Sequence, residues 1–306
     1  MIYADFWGLA FPPFRDNGRA GTFILTRSAS LVMARLRYTL GEARGVAGMF
    51  GEPGVGKTRI AMTLLREFAD AGWLTGYLPN PLGTPGDIAA ALDPAATPAD
   101  YGNPARLRTF LAGLARDEKP ALLAVDDVQT ARGTDFLETL RTMLNVEYEG
   151  RRPLSLLLLG QAGMERRLAA ASSFNTRLDA RAVLPPMDDD ESKRYILARL
   201  KAAGSRQGIF TRQAAELAVR LAKGNPRQIN RLCEMSLVVA YGLESEKVGP
   251  EIVEMAAGDL DMLPAGDASF LTWPHPEAEK AAEEDQPAGE DILAELDAGE
   301  KGGGSA

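Results

Sequence analysis

The 306-residue chain has one cysteine, Cys233, and one histidine, His275. A single thiol cannot close an intrachain disulfide, and because His275 lies in the stretch expected to be a disordered tail, neither a zinc site nor a Ser-His or Cys-His nucleophile pair is expected inside the folded domain. Cys233 falls within a helical pattern and reads as a small core residue. No apolar run approaches the length of a membrane span. The opening Met1, Ile2, Tyr3, Ala4 and Asp5 lack the basic and apolar regions of a signal peptide, so the expected location is the cytoplasm.

Excess charge is also missing from most of the chain. The net charge is −8, but residues 276–306 hold ten acidic and two basic side chains, so residues 1–275 carry 32 of each sign. The acidity therefore belongs to the tail. Arg141, Arg151, Arg152, Arg166, Arg167, Arg177 and Arg181 cluster in sequence, as a basic stripe for nucleic acid would, although scattered solvated arginines are the plainer expectation. With 45% apolar residues the chain can bury the core of one large domain or two smaller ones.

What is present begins with Gly51, Glu52, Pro53, Gly54, Val55, Gly56, Lys57 and Thr58, which spell the phosphate-binding pattern G-x-x-x-x-G-K-[ST] directly after the apolar run 46–50. Glycines at 51, 54 and 56 let backbone N–H groups curl around phosphate oxygens, and a following helix points its positive end at the same anion. In that pattern Lys57 neutralises the β- and γ-phosphates and the Thr58 hydroxyl is a ligand for Mg²⁺. A glycine-rich turn matching by accident is the alternative; the apolar strand before it and the amphipathic helix after it, with Ile60, Leu64, Leu65 and Phe68 on one side, argue against that.

Strands are expected at 46–50, 73–78, 121–125, 154–159 and 181–184, with helices over 28–45, 57–71, 104–116 and 135–145. Short apolar runs alternating with amphipathic helices predict a parallel sheet covered on both faces. The stretch 79–102, rich in Pro, Gly and Ala, is expected to be irregular with a short helix near 87–92. After Pro185 and Pro186 the pattern becomes helical, with four helices over 188–203, 211–223, 226–241 and 249–260; Asp188 and Glu191 have the spacing of a capping box. The expected organisation is an N-terminal segment and helix (1–45), an α/β nucleotide-binding core (46–186), a helical lid (187–262) and a disordered acidic tail (263–306), whose composition cannot bury enough apolar surface to fold.

The strand 121–125 ends in Asp126 and Asp127, where a Mg²⁺-dependent NTPase needs carboxylates. Asp126 is expected to hold the metal with Thr58, and Asp127 to orient the attacking water; a pair of turn carboxylates is the alternative. Gln161 puts an amide at the end of the next strand, placed to sense the γ-phosphate, or else simply ends the strand. Arg177 and Arg181 follow a polar loop from which a cation could enter a neighbouring subunit's site, and Arg227 opens a lid helix.

These motifs, in order, resemble the ExeA/GspA-type AAA+ ATPases, a group itself similar to the MuB, TniB and TnsC transposition ATPases. The resemblance is carried by Phe6, Trp7, Gly8, Leu9, Pro13 and Phe14, by Ala34 to Tyr38, by the phosphate loop 51–58, by Asn80 and Pro81, by Val125 to Gln129, by Leu159 to Gln161, and by Gly224 to Cys233. It covers roughly residues 3–260. It implies a P-loop NTPase of AAA+ type with a five-stranded parallel sheet of order 5-1-4-3-2, helices on both faces and a small all-helical lid. It also implies Gln161 as sensor, Arg177 as arginine finger and Arg227 as lid sensor. The family usually has Asp-Glu where this chain has Asp126 and Asp127, a carboxylate one methylene shorter, so slow or partner-stimulated hydrolysis is expected. Longer members continue into a membrane span and a peptidoglycan-binding domain, so their envelope role is carried over only as an expectation.

The leading expectation is an ATPase, with ATP and Mg²⁺ as cofactors, that assembles as a homo-oligomeric ring or filament and remodels a protein partner. The alternative is an ATP-dependent DNA-binding regulator of transposition, against which the neutral body and acidic tail argue. A nucleotide-gated adaptor, its tail recruiting a partner through Ile292, Leu293 and Leu296, is a third reading.

Overall fold

Short, largely apolar runs of about five residues bounded by turn residues suit strands of a sheet covered on both faces, and the computed structural model builds them that way. It describes residues 3–15, 24–41, 45–81, 84–93, 97, 99, 103–131, 135–164 and 178–263. The described chain divides into two compact units, one of residues 27–185 and the other of the N-terminal 26 residues with residues from 186 onward.

In the first unit α1 (Arg27–Gly41) is followed by β1 (Val46–Phe50), α2 (Lys57–Asp70), β2 (Leu74–Leu78), α3 (Pro85–Leu92), α4 (Pro104–Arg116), β3 (Ala121–Val125), α5 (Asp135–Met143), β4 (Leu154–Gly160) and β5 (Leu178–Val183). The strands form one parallel sheet in the order β2-β3-β4-β1-β5, which is the expected 5-1-4-3-2 read from the other edge. Every residue of β1, β3 and β4 is buried. Leu111, Leu123, Leu140 and Leu156 belong to one core cluster against the sheet. The short helix expected near 87–92 is α3, started by a capping box between Thr84 and Asp87.

The last strand starts at Leu178 rather than at the expected 181. As an edge strand paired only with β1, it buries Leu178 and Ala182 while exposing Asp179, Arg181 and Val183, so it lacks the continuous apolar signature of the inner strands. Its register with β1 also shifts, Val46 facing Leu178 but Ala47 facing Ala180, which leaves Asp179 as a bulge.

Register decides where the chain leaves the sheet. Phe50 lies beside Gly160, and Val125 lies beside both Leu78 and Leu158. Because all strands run parallel, residues 51, 79, 126 and 161 emerge on one edge, the carboxyl edge at which open α/β sheets bind ligands.

The second unit contains α6 (Asp189–Ala202), α7 (Arg212–Ala222), α8 (Pro226–Gly242) and α9 (Pro250–Asp259). Asp188, Thr211 and Asn225 cap the first three through their side chains. The core joins Leu200, Ile229, Leu232, Leu237 and Val253 to Tyr3, Leu9 and Phe14 of the N-terminal segment. Arg199, 3% exposed, donates to the Pro13 carbonyl at 2.6 Å and to the Arg15 carbonyl at 3.0 Å, which offsets the cost of burying its charge. The structure thus divides the segment 1–45 between the units: its first residues pack with the helices and α1 packs with the sheet. Among the described residues no helix is long and apolar enough to cross a membrane. The tail from 264 onward lies outside the described residues.

Candidate functional site

The loop after β1 is shaped by its glycines. A Cβ on Gly51 would lie 2.5 Å from the Leu184 carbonyl oxygen, and Gly54 and Gly56 hold φ values of 87° and 104°. That left-handed region is open to glycine at little steric cost. Val55 is buried and anchors the loop, whereas Glu52 and Pro53 are exposed. Gly56 is the N-cap of α2 and makes no side-chain cap, so the first N–H groups of the helix face the loop without a side-chain acceptor from it.

Lys57, 9% exposed, lies across this loop and donates to the carbonyls of Gly51 and Glu52, both at 2.9 Å. Burial pushes its ammonium toward the neutral form, and the carboxylates of Asp126 and Asp127 pull the other way. Next to it the Thr58 hydroxyl donates to Asp126 Oδ2 at 2.5 Å, across 68 residues of sequence.

Asp126 is 6% exposed at the end of β3, a position no carboxylate occupies without partners. Its Oδ1 accepts the Asp127 N–H at 2.8 Å, and its Oδ2 also accepts the Tyr77 hydroxyl at 3.1 Å. Burial, with the adjacent Asp126 charge, pushes the Tyr77 phenol up to about 12. Asp127 is exposed, with φ 49°, and its Oδ1 accepts from Gln129 Nε2 at 2.8 Å. The Gln161 side chain is exposed, while its backbone N–H donates to Gln129 Oε1 at 3.2 Å. The Gly51 N–H donates to the Gly160 carbonyl at 3.2 Å, joining the loop to the end of β4.

Oxygen donors from Thr58 and Asp126 already in contact suit a hard divalent cation, for which Mg²⁺ is the usual choice beside phosphate. Among the described residues no group of three or more His, Cys, Asp or Glu side chains is placed to hold a metal.

The structure therefore brings Lys57, Thr58, Asp126, Asp127 and Gln161 to one edge of the sheet. Arg177 lies outside the described residues. Arg181 is an exposed residue of β5. Arg227 is exposed at the start of α8 in the helical unit, where its backbone N–H donates to Asn225 Oδ1 at 3.0 Å. Gly224 before it is fixed by a tight approach: a Cβ there would fall 2.0 Å from the Met187 carbonyl oxygen, at φ 69°. Two residues of the constellation were not predicted. Tyr77 meets Asp126 through the pairing of β2 with β3, which sequence does not display; Gln129 belongs to the motif 125–129 but carried no assigned task.

Comparison with known proteins agrees with this geometry. Residues 41–168 match the family model described as an AAA domain. The chain is 30% identical over 268 residues to General secretion pathway protein A of Aeromonas hydrophila, an alignment covering 85% of this chain and 48% of that protein. It thus spans about half the length of that relative. Among solved structures it resembles Cdc6p from Pyrobaculum aerophilum (TM-score 0.65, 17% identity, covering 86% of this chain and 74% of that one). It also resembles the Aeropyrum pernix ORC2 protein in its ADPNP–ADP complexes (TM-score 0.62, 16% identity, 86% and 74%). The Thermotoga maritima RuvB Holliday junction branch migration motor is similar too (TM-score 0.55, 18% identity, 85% and 82%). At these identities the structures establish the fold alone. Residues 41–168 therefore carry an AAA domain on a P-loop α/β sheet, and the chain is similar over 85% of its length to about half of a general secretion pathway protein A.

Proposed function

We propose that the chain binds ATP with Mg²⁺ in the cradle of residues 51–58 and hydrolyses it between subunits, using the cycle to assemble and remodel a partner complex in the cytoplasm. The observation that carries the reading is the contact of Thr58 with the buried Asp126 beside Lys57, at the edge where the phosphate loop opens. Lone surface carboxylates and lysines need no such burial, and perturbed, desolvated charges at one site are a signature of function.

In this reading the backbone N–H groups of residues 51–58 and the Lys57 ammonium bind the β- and γ-phosphates, while Thr58 and Asp126 hold the cation. When bound, Mg²⁺ neutralises charge on the phosphate oxygens and fixes their orientation. Asp127 orients a water whose oxygen bonds to the γ-phosphorus. The bridging P–O bond breaks with its electron pair staying on ADP, and the proton lost by the water ends on inorganic phosphate. Gln161 contacts the γ-phosphate, Arg177 or Arg181 enters from the neighbouring subunit, and Arg227 closes from the lid. The aligned half of a general secretion pathway protein supports a protein partner.

ATP can drive assembly only if the assembled state binds it more tightly than the free subunit does. Light scattering should then give a larger mass with a slowly hydrolysed ATP analogue than with ADP, and equal masses would contradict the assembly cycle. A second reading, DNA binding, draws on the Aeropyrum pernix ORC1 protein, solved in complex with DNA. Three of the clustered arginines, Arg141, Arg151 and Arg152, already pair with Glu138, Glu118 and Glu147, so the assembly reading is preferred. Duplex binding in the presence of ATP that is tight at low salt and falls steeply as salt rises would reverse that preference.

A further inference from the structure

Gln129 has no task in the scheme above, yet its side chain joins two strand ends. Its Nε2 donates to Asp127 Oδ1 at 2.8 Å, and its Oε1 accepts the Gln161 N–H at 3.2 Å. A carboxylate only accepts and a backbone N–H only donates, so the two bonds together fix which way the amide faces. The turn that carries it, Val128–Thr130, is seated on β4: Val128 is fully buried, and a Cβ on Gly160 would lie 3.0 Å from Val128 Cγ2.

Asp127 is held at both ends of the residue. Its backbone sits at φ 49°, a conformation that costs a non-glycine residue energy, and its carbonyl accepts both the N–H and the hydroxyl of Thr130 at 2.8 Å. With Oδ1 engaged by Gln129, Oδ2 is the oxygen left to face a water. The short aspartate side chain has little reach of its own, so the direction in which its carboxylate is held matters.

We propose that Gln129 is the positioning residue for Asp127, fixing the direction of its carboxylate and tying it to the end of β4 through the Gln161 N–H. This rests on the reading of Asp127 as the water-orienting group. Removing the amide frees the carboxylate to rotate and releases the link to β4 without touching the phosphate cradle. Misplacement on the order of 1 Å costs about a hundredfold in rate, which sets the scale expected.

The test uses Gln129→Ala in the full chain, at protein concentrations where assembly is complete, with two readouts. Amide hydrogen exchange of the nucleotide-free protein should show the Gln161 N–H exchanging about tenfold faster or more in the variant, with Leu158 and Leu159 unchanged. Kinetics should show kcat falling roughly ten- to a hundredfold while the Kd for an ATP analogue stays within about twofold. In an Asp127→Asn background the same substitution should cost no further activity, because Gln129 acts through that carboxylate. A merely structural role would instead lower affinity along with rate and add its loss to that of Asp127→Asn, and this would overturn the inference. Equal turnover by the variant, or unchanged exchange at Gln161, would overturn it as well. If the unaltered chain cleaves no ATP, the assignment of Asp127 falls and the positioning role falls with it.

Discussion

The two ends of one sheet use the same charged residue types in opposite ways. At the carboxyl ends of β1 and β3, Lys57 and Asp126 are 9% and 6% exposed; Lys57 is held by the Gly51 and Glu52 carbonyls of its own loop, and Asp126 by Thr58 and Tyr77 from distant sequence. At the amino ends of β3 and β4, Lys119, Arg151 and Arg152 line a cavity of about 610 Å³ with Glu118 and Glu147. There the ion pairs Arg151–Glu118 and Arg152–Glu147 stay half-exposed. Exposed pairs contribute about 0–1 kcal/mol, whereas a buried charge stripped of a partner costs several. The sheet thus buries charge at its carboxyl edge, where hydrogen-bond partners compensate it, and keeps charge in water at the other edge.

Substitutions can break that contrast in descending order of effect. Asp127→Asn should reduce ATP turnover about 10²–10⁴-fold while leaving nucleotide affinity nearly unchanged, as steady-state kinetics beside analogue binding would reveal; lost affinity would mean Asp127 belongs to the cradle instead. Lys57→Ala should weaken ATP binding about a hundredfold by calorimetry, since it removes the cation from the phosphate contacts; a change under about threefold would deny the carboxyl edge its special status. Tyr77→Phe should raise the Mg²⁺ concentration required for half-maximal turnover about three- to tenfold, the loss of one hydrogen bond to a charged group, without altering nucleotide binding in EDTA. Glu118→Gln at the opposite edge should move stability by no more than about 0.5 kcal/mol in denaturant melts and leave turnover untouched.

Tyr77 offers a pH counterpart. Its folded pKa, about 12, lies above the unfolded value near 10, so between those values the unfolded chain has lost a proton that the folded chain keeps. The stabilisation is complete below pH ~10 and disappears as pH rises through about 12. Tyr77→Phe should flatten that alkaline fall in stability; an unchanged slope would show the phenol to be solvated.

What could be read from the chain itself follows from how locally each feature is encoded. The phosphate loop is contiguous, and β1, β3 and β4 are apolar runs, interrupted only by Ser155, because both their faces are covered, so these are legible. The edge strand β5 was read three residues short, since Asp179 and Arg181 alternate with its buried side chains and only pairing with β1 reveals them as strand. Tyr77 was illegible because its acid lies 49 residues away and is reached through the register of Tyr77 with Ala124. The anchoring of the N-terminal segment rests on contacts such as Arg199 with Pro13, separated by 186 residues, which no local pattern encodes. Gln129 was visible as part of a motif, but its two bonds depend on where β3 and β4 end relative to one another.

Calorimetric titration of ATP with Mg²⁺ and with EDTA, on the unaltered chain and on Asp126→Asn, tests directly whether a Mg²⁺–triphosphate complex is held between the glycine loop and Asp126. Expected are saturable binding by the unaltered chain that Mg²⁺ tightens, and a variant that binds equally in EDTA but has lost most of the Mg²⁺ gain. No binding by the well-folded unaltered chain, or an equal Mg²⁺ gain in both proteins, would contradict it.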